Sequence, residues 1–151
     1  MYLVQFNLCF SVKSVRRNTM GSQIAQIFTE IAAAQINVDV ISFEKTTSDY
    51  PNTLGFTISE ADIRQTQKAF NDFQKKVPGL NYSIEEGFCK VTAVGVGMRS
   101  YAGVAAQFFA CLQSKGIEIY MISTSEIKIS AIIKKEHGEL AVQLLHKAFA
   151  L

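Results

Sequence analysis

Apolar positions change period along this chain, and each change marks an element. "CKVTAVGV" (Cys89–Val96) is a β-branched run of strand type. From Val104 to Lys115 the period becomes helical: Val104, Phe108, Cys111 and Leu112 share one face, with Gln107, Gln113 and Ser114 elsewhere. Gly116 is placed to cap that helix. "IEIYMIS" (Ile117–Ser123) alternates Ile117, Ile119 and Met121 against Glu118 and Tyr120, and "IKISAIIK" (Ile127–Lys134) alternates in the same way. Leu140, Leu144, Leu145 and Ala148 then return to helical spacing. The order is strand, helix, strand, strand, helix.

The same order occurs earlier, and the residues repeat with it. "AQIFTEIAAAQINVDVIS" (Ala25–Ser42) lies over "AQFFACLQSKGIEIYMIS" (Ala106–Ser123) without a gap, and "QKAF" (Gln67–Phe70) echoes "HKAF" (His146–Phe149). The first copy opens with the apolar strand "MYLVQFNLCFSV". Its second helix, over 60–77, is ended by Pro78-Gly79, and "LNYSIEEG" (Leu80–Gly87) follows as a closing strand. That is βαββαβ, a split βαβ of ferredoxin-like type, with both helices on one face of four antiparallel strands. The expected class is α+β: two such units in tandem, the first over 1–87 and the second over 88–151. The second copy has no fourth strand of its own, so it is expected to leave a sheet edge open, or to take a strand from another chain or from a segment outside this sequence.

Hydrophobic residues make up 48% and charged residues 19%, the balance of a chain that buries a core. The net charge is +2 and its lysines and arginines are scattered, which argues against nucleic acid. An RNA-binding βαββαβ module would also carry stacking aromatics on its central strands, and these are missing. Cys9, Cys89 and Cys111 form no CxxC pair and lie in apolar runs, so they are expected in the core of a protein kept in a reducing cytosol. His137 and His146 have the wrong spacing to share a metal. No cofactor is expected. The N-terminal apolar stretch lacks a basic leader and is shorter than the ~20 residues that cross a bilayer. A cytoplasmic protein without a membrane segment is the expectation. No GxxxxGK or lysine-bearing glycine-rich loop is present, so no catalysis is expected of these residues.

Val94-Gly95-Val96-Gly97-Met98-Arg99-Ser100, Gly103-Val104-Ala105, Met121 to Ser130 and Leu145-His146-Lys147-Ala148-Phe149 together resemble the C-terminal regulatory end of aspartate kinase. "IFTEIAAAQINVDVIS" is similar to the first ACT domain of the same pair, although the loop before it, "SVKSVRRNTMGS", departs from that family's pattern. The resemblance implies tandem ACT domains that bind a free amino acid, lysine or threonine, and report it to a kinase catalytic domain or α subunit. It also implies an effector site in the first domain at a contact between two copies. The first domain is expected to be inserted in the second, whose missing strand would come from a segment before Met1. A homodimeric ACT subunit that assembles the kinase without binding a ligand is the alternative.

An amino acid brings a carboxylate and an ammonium, and neither is buried unpaired. Backbone amides at a helix start suit the first; a side-chain carboxylate suits the second. Thr19, Met20, Gly21 and Ser22 open the first helix, while Asn37, Val38 and Asp39 lie on the following strand, whose start is expected near that loop. Asp39 is either a ligand contact or a solvent-facing residue on an alternating strand. Gln23 is read as helix packing, and Ile24 as packing or as a wall of the side-chain pocket. Arg16 and Arg17 are read as solvated. In the second copy, Met98, Arg99, Ser100 and Tyr101 are candidates for a second loop site or an interface. Ser123, Thr124, Ser125 and Glu126 replace an ordinary glycine turn between two strands. They are expected to satisfy their own backbone through local side-chain bonds and to lie at an interface between domains or subunits; a merely unusual β-bend is the alternative.

Overall fold

The computed structural model describes residues 2–14, 20–44, 52–95 and 103–149. Its elements are β1 (Tyr2–Ser14), α1 (Met20–Ala33), β2 (Val38–Glu44), β3 (Asn52–Ser59), α2 (Ile63–Lys76), β4 (Leu80–Val94), α3 (Val104–Gln113), β5 (Met121–Thr124), β6 (Lys128–Lys134) and α4 (Gly138–Ala148). They form two compact units. One is Leu8–Glu86; the other joins Met1–Asn7 to Gly87–Leu151.

In the Leu8–Glu86 unit the strands run β2-β3-β1-β4, with β2 antiparallel to β3. Both helices face this sheet. Ile27 and Ile31 of α1 and Phe70 and Phe73 of α2 close over Leu54, Phe56 and Ile58 of β3. β3 is buried along nearly its whole length, as the central position of the strand requires. Ser59 accepts a hydrogen bond from the Ala61 amide and starts the turn into α2. At the other end Gly79 takes the left-handed conformation that returns the chain to β4.

In the other unit β4, β6 and β5 pair antiparallel in that order, with β1 on the far side of β4. Cys89, Val91, Ala93, Ile129, Ala131 and Ile133 line the helix side of the sheet. Phe108 and Leu112 of α3 and Ala141 and Leu145 of α4 pack against them. On the opposite face Thr92 and Ser130, partners in the ladder, bond hydroxyl to hydroxyl at 2.9 Å. Each buried oxygen thereby satisfies the other.

The fourth strand of this unit is therefore not borrowed from another chain or from a segment before Met1. It is the opening of β1, inside the chain itself. The 13 residues of β1 are long enough for the first to belong with Gly87–Leu151 and the rest with Leu8–Glu86. The first unit is inserted in the second, and Met1–Asn7 go with the second, an allocation the expected division at 87/88 did not include. The two strands expected over 80–87 and 89–96 are also one, β4. Gly87 sits inside it at φ +81°, a conformation glycine adopts without strain, and there the chain passes from one unit to the other.

Candidate functional site

α1 begins at Met20, so Met20, Gly21 and Ser22 form its first turn, as expected; Thr19 lies outside the described residues. The first amides of a helix have no carbonyl partner within it, and they carry the positive end of its dipole. No acidic side chain occupies the first turn of α1 to neutralise that end. A ligand carboxylate suits such a place. Ile24 is half-buried and packs against the core of the unit, so its packing role holds.

Asn37, Val38 and Asp39 sit at the other end of the same helix. α1 is 14 residues long, which at ~1.5 Å per residue separates its two ends by roughly 20 Å. Four residues after α1 ends, β2 begins. The start of β2 is thus not beside the helix-opening turn, as the sequence suggested, because a split βαβ returns the chain to the sheet at the helix C-terminus. Within one copy the two halves of the expected site do not meet.

Asp39 has a distinctive setting. Val38 opposes Ile58 and Ile41 opposes Phe56, so Asp39 and Val40 together face Thr57 in a bulge. The displaced Val40 amide is held by the buried Thr57 hydroxyl at 3.0 Å. Asn37 and Asp39 are exposed, while Val38 packs against the core. A bulge turns the strand locally and re-aims the side chains on it. β2 is also an edge strand, and its last apolar residues are open to solvent: Ile41 is 54% and Phe43 44% exposed.

In the second unit Met98, Arg99, Ser100 and Tyr101 lie outside the described residues. The Ser123–Glu126 stretch runs from the end of β5 into the bend before β6. Ser123 pairs with Ser130 and Thr124 with Ile129. The Ser125 amide donates to the Lys128 carbonyl at 2.8 Å, and the Ile127 amide reaches the Ser125 hydroxyl at 3.4 Å. Hydroxyl chemistry thus replaces glycine in this bend, as expected. The Gly95 amide, just past β4, donates to the Ile127 carbonyl at 2.8 Å and ties the bend to the neighbouring strand. Glu126 is exposed, and Ile122 and Ile127 on either side are each 52% exposed.

Sequence reasoning did not find two features. An open groove of about 410 Å³ between α1 and α2 has Phe73, Val77 and Ala25 in its lining, together with Glu30 and Lys76, which pair at 3.2 Å. It includes none of the expected site residues. The second is Gln23, whose buried amide oxygen has no hydrogen-bond partner. A polar residue at a helix opening carries no pattern in the sequence that marks it as orphaned.

Two ferredoxin-like units built on one repeat, each two helices over a sheet, define a tandem ACT-domain protein, and residues 91–149 match the ACT domain family. The chain belongs to the aspartokinase family and corresponds to its regulatory ACT portion, the catalytic domain being a separate region or subunit. It is 36% identical to a chain in the crystal structure of aspartokinase alpha and beta subunits, covering 99% of this chain and 97% of that one at a TM-score of 0.86. The ligand-free regulatory subunit of aspartate kinase from Thermus thermophilus superposes with a TM-score of 0.85 at 26% identity, covering 98% and 96% of the two chains. An aspartokinase of Helicobacter pylori is 42% identical over 127 residues, which is 84% of this chain and 31% of the relative. The chain spans about a third of the length of the curated relatives it matches. Among the described residues no helix is long and apolar enough to cross a membrane.

Proposed function

We propose that this chain is the sensor of an aspartate kinase. It binds lysine or threonine and, by doing so, controls phosphorylation of aspartate by a cytoplasmic catalytic domain or α subunit in lysine, threonine and methionine synthesis. The observation that carries the reading is the placement of the two half-sites. The amides opening α1 and the Asp39 bulge lie at opposite ends of one helix, in a unit whose β2 edge is open and apolar. Pairing two copies edge to edge in antiparallel sense inverts one against the other. The helix start of one copy then comes level with the β2 start of its partner. A carboxylate on the amides of the first and an ammonium on Asp39 of the second would complete the site. Burial of Ile41 and Phe43 would add to the free energy of pairing. Such a site is incomplete in the monomer, so effector binding and dimerisation are coupled, by about 1–3 kcal/mol in systems of this kind.

Calorimetric titration of the chain with lysine and with threonine, alongside sedimentation with and without each, tests this. Binding of one of them should be accompanied by a shift toward dimer, and Asp39→Ala should lose both effects while folding normally. Dimers that bind neither amino acid would make the chain the assembly subunit of the alternative reading. Binding to a monomer with unchanged affinity would refute the two-copy site.

A further inference from the structure

The groove between α1 and α2 has two unlike walls. Phe73 and Val77 of α2 line it beside Ala25 and Thr29 of α1, and Lys76 pairs with Glu30 across it at 3.2 Å. On the α1 side Ala25, Gln26, Thr29, Ala32 and Ala33 are exposed, and Glu30 is the only charged residue of the helix. A helix face that stays in water normally carries charge. On the α2 side Arg64, Lys68 and Lys75 are exposed along one face. Asp72 is the one acidic residue among them, and it is already bonded to Lys75 at 2.9 Å. The second unit treats the equivalent place differently. Gln107, which the repeat sets over Gln26, donates from its side-chain amide to the Ala148 carbonyl at 2.6 Å and ties α3 to the end of α4. Among the described residues Gln26 makes no such tie, and it lines the open groove instead.

We infer that this groove docks the aspartokinase catalytic portion, through an acidic helix that seats an apolar side chain in it. The inference rests on the chain being the regulatory portion of an aspartokinase and not on the two-copy effector site. In this family the catalytic domain is a separate region or subunit, and the chain spans about a third of the length of its curated relatives, so a partner of that kind is at hand. Small uncharged residues on α1 let a second helix approach without stranding a charge, as the centre of an interface requires. Phe73 and Val77 offer the seat for an anchoring side chain. Arg64, Lys68 and Lys75 beside that seat favour carboxylates on the partner. A second copy of this chain is the poorer occupant. A two-fold pair through this face would set the same cations of α2 against one another.

Hydrogen exchange is followed in the chain alone and in the kinase assembled with its catalytic region or α subunit. Amides of 25–30 and 71–77 should exchange about tenfold or more slowly in the assembly. Raising the salt from ~0.1 M to ~1 M should reduce that protection, because it screens attraction between exposed charges. Thr29→Arg fills the groove from an exposed position and should abolish the protection of 71–77, whereas Ala110→Arg, at the equivalent place on α3, should leave it intact. Lys68→Glu, on the basic side, should lower the protection several-fold, and it carries the test if Thr29→Arg fails to fold. Equal protection in the parent, Thr29→Arg and Lys68→Glu assemblies would overturn the assignment. So would an assembly that leaves these amides unprotected, or an equal loss from Ala110→Arg. Calorimetry with lysine and with threonine separates this from the sensor reading. A chain that shows the expected protection and binds neither amino acid would sustain the docking site and refute the sensor; one that binds an amino acid without gaining protection would do the reverse.

Discussion

The repeat contains its own control for the energetics of ending a helix. After α1 the Ile36 amide bonds to the Ile31 carbonyl at 3.1 Å and the Gln35 amide to Ala32 at 3.0 Å. After α3 the Ile117 amide bonds to Leu112 at 3.2 Å and the Gly116 amide to Gln113 at 2.9 Å. These are the same Schellman closure at equivalent positions, and each requires one left-handed residue. In the second copy that residue is Gly116 at φ 65°. In the first it is Gln35 at φ 54°, the one non-glycine residue with positive φ among those described. A side chain in this conformation costs about 1–2 kcal/mol. Glycine avoids that cost but loses roughly 0.5–1 kcal/mol more in conformational entropy on folding. The Gln35 side chain donates to the Ala32 carbonyl at 3.3 Å on the exposed surface, and losing that bond forfeits at most about 0.5 kcal/mol. Gln35→Gly should therefore stabilise the chain by up to about 1 kcal/mol. Gly116→Gln should destabilise it by a similar amount. A Cβ at 116 meets no atom, so that penalty is backbone strain and not a clash. For a chain of this length 1 kcal/mol moves Tm by about 2–4 °C. Urea unfolding followed by circular dichroism and by tyrosine fluorescence measures both variants and tests whether one transition describes the data. A Gln35→Gly protein no more stable than the parent, together with an unchanged Gly116→Gln, would refute the strain account.

Two further outcomes concern the Gly87–Leu151 unit. Thr92→Val should destabilise it by about 1–3 kcal/mol by stranding the Ser130 hydroxyl, and adding Ser130→Ala should recover much of that loss; a strictly additive double-mutant cycle would show that the two oxygens are independent. Burial raises the thiol pKa of Cys89, and its side chain is fully enclosed, so at pH 8 it should react with a disulfide reagent only as fast as the unit opens. Mass-spectrometric mapping that finds Cys89 labelled as quickly as the half-buried Cys111 under native conditions would contradict that enclosure.

The sequence made the architecture legible where the chain repeats itself and where punctuation is strong. The helices over 60–77 and 104–115 appear within a few residues of their expected bounds, because Pro78-Gly79 and Gly116 stop them. Periodicity could not divide "MYLVQFNLCFSV" between two units, since a continuous apolar run reads the same whichever strand it lies beside. It also overextended β5. Ile117 and Ile119 alternate with polar residues as a strand would, yet only Met121–Thr124 are in the ladder. Ile117 is spent on closing α3 and on the core, and the Tyr120 amide makes one bond to Ile132 before the strand begins. The candidate site was legible as a set of residues and not as an arrangement. Met20–Ser22 and Asn37–Asp39 carry complementary chemistry, and their separation follows from the length of the helix between them. The bulge at Asp39 depends on the Thr57 hydroxyl that holds the Val40 amide from 17 positions further along, which no local pattern connects to it.

That separation bears on how an effector could act at all. If both charged ends of an amino acid were gripped within a single ACT unit, and equally well in separated and paired chains, binding would leave the association of two chains unaffected. A ligand can shift an equilibrium only by its difference in affinity for the two states. With the helix start and the Asp39 bulge roughly 20 Å apart in each copy, the proposed pairing would supply that difference, since separated chains would offer half a site each and paired chains two whole ones. The open edge of β2 carries Ile41 and Phe43, and the equivalent edge of the other unit carries Ile122. The repeat has thus kept an open apolar edge in both copies, whereas the Asp39 position is occupied by Tyr120 in the second. Both units have an open edge, but only the first has a carboxylate at the bulge position; in the second, Glu118 stands two residues earlier and accepts a hydrogen bond from the Tyr120 hydroxyl.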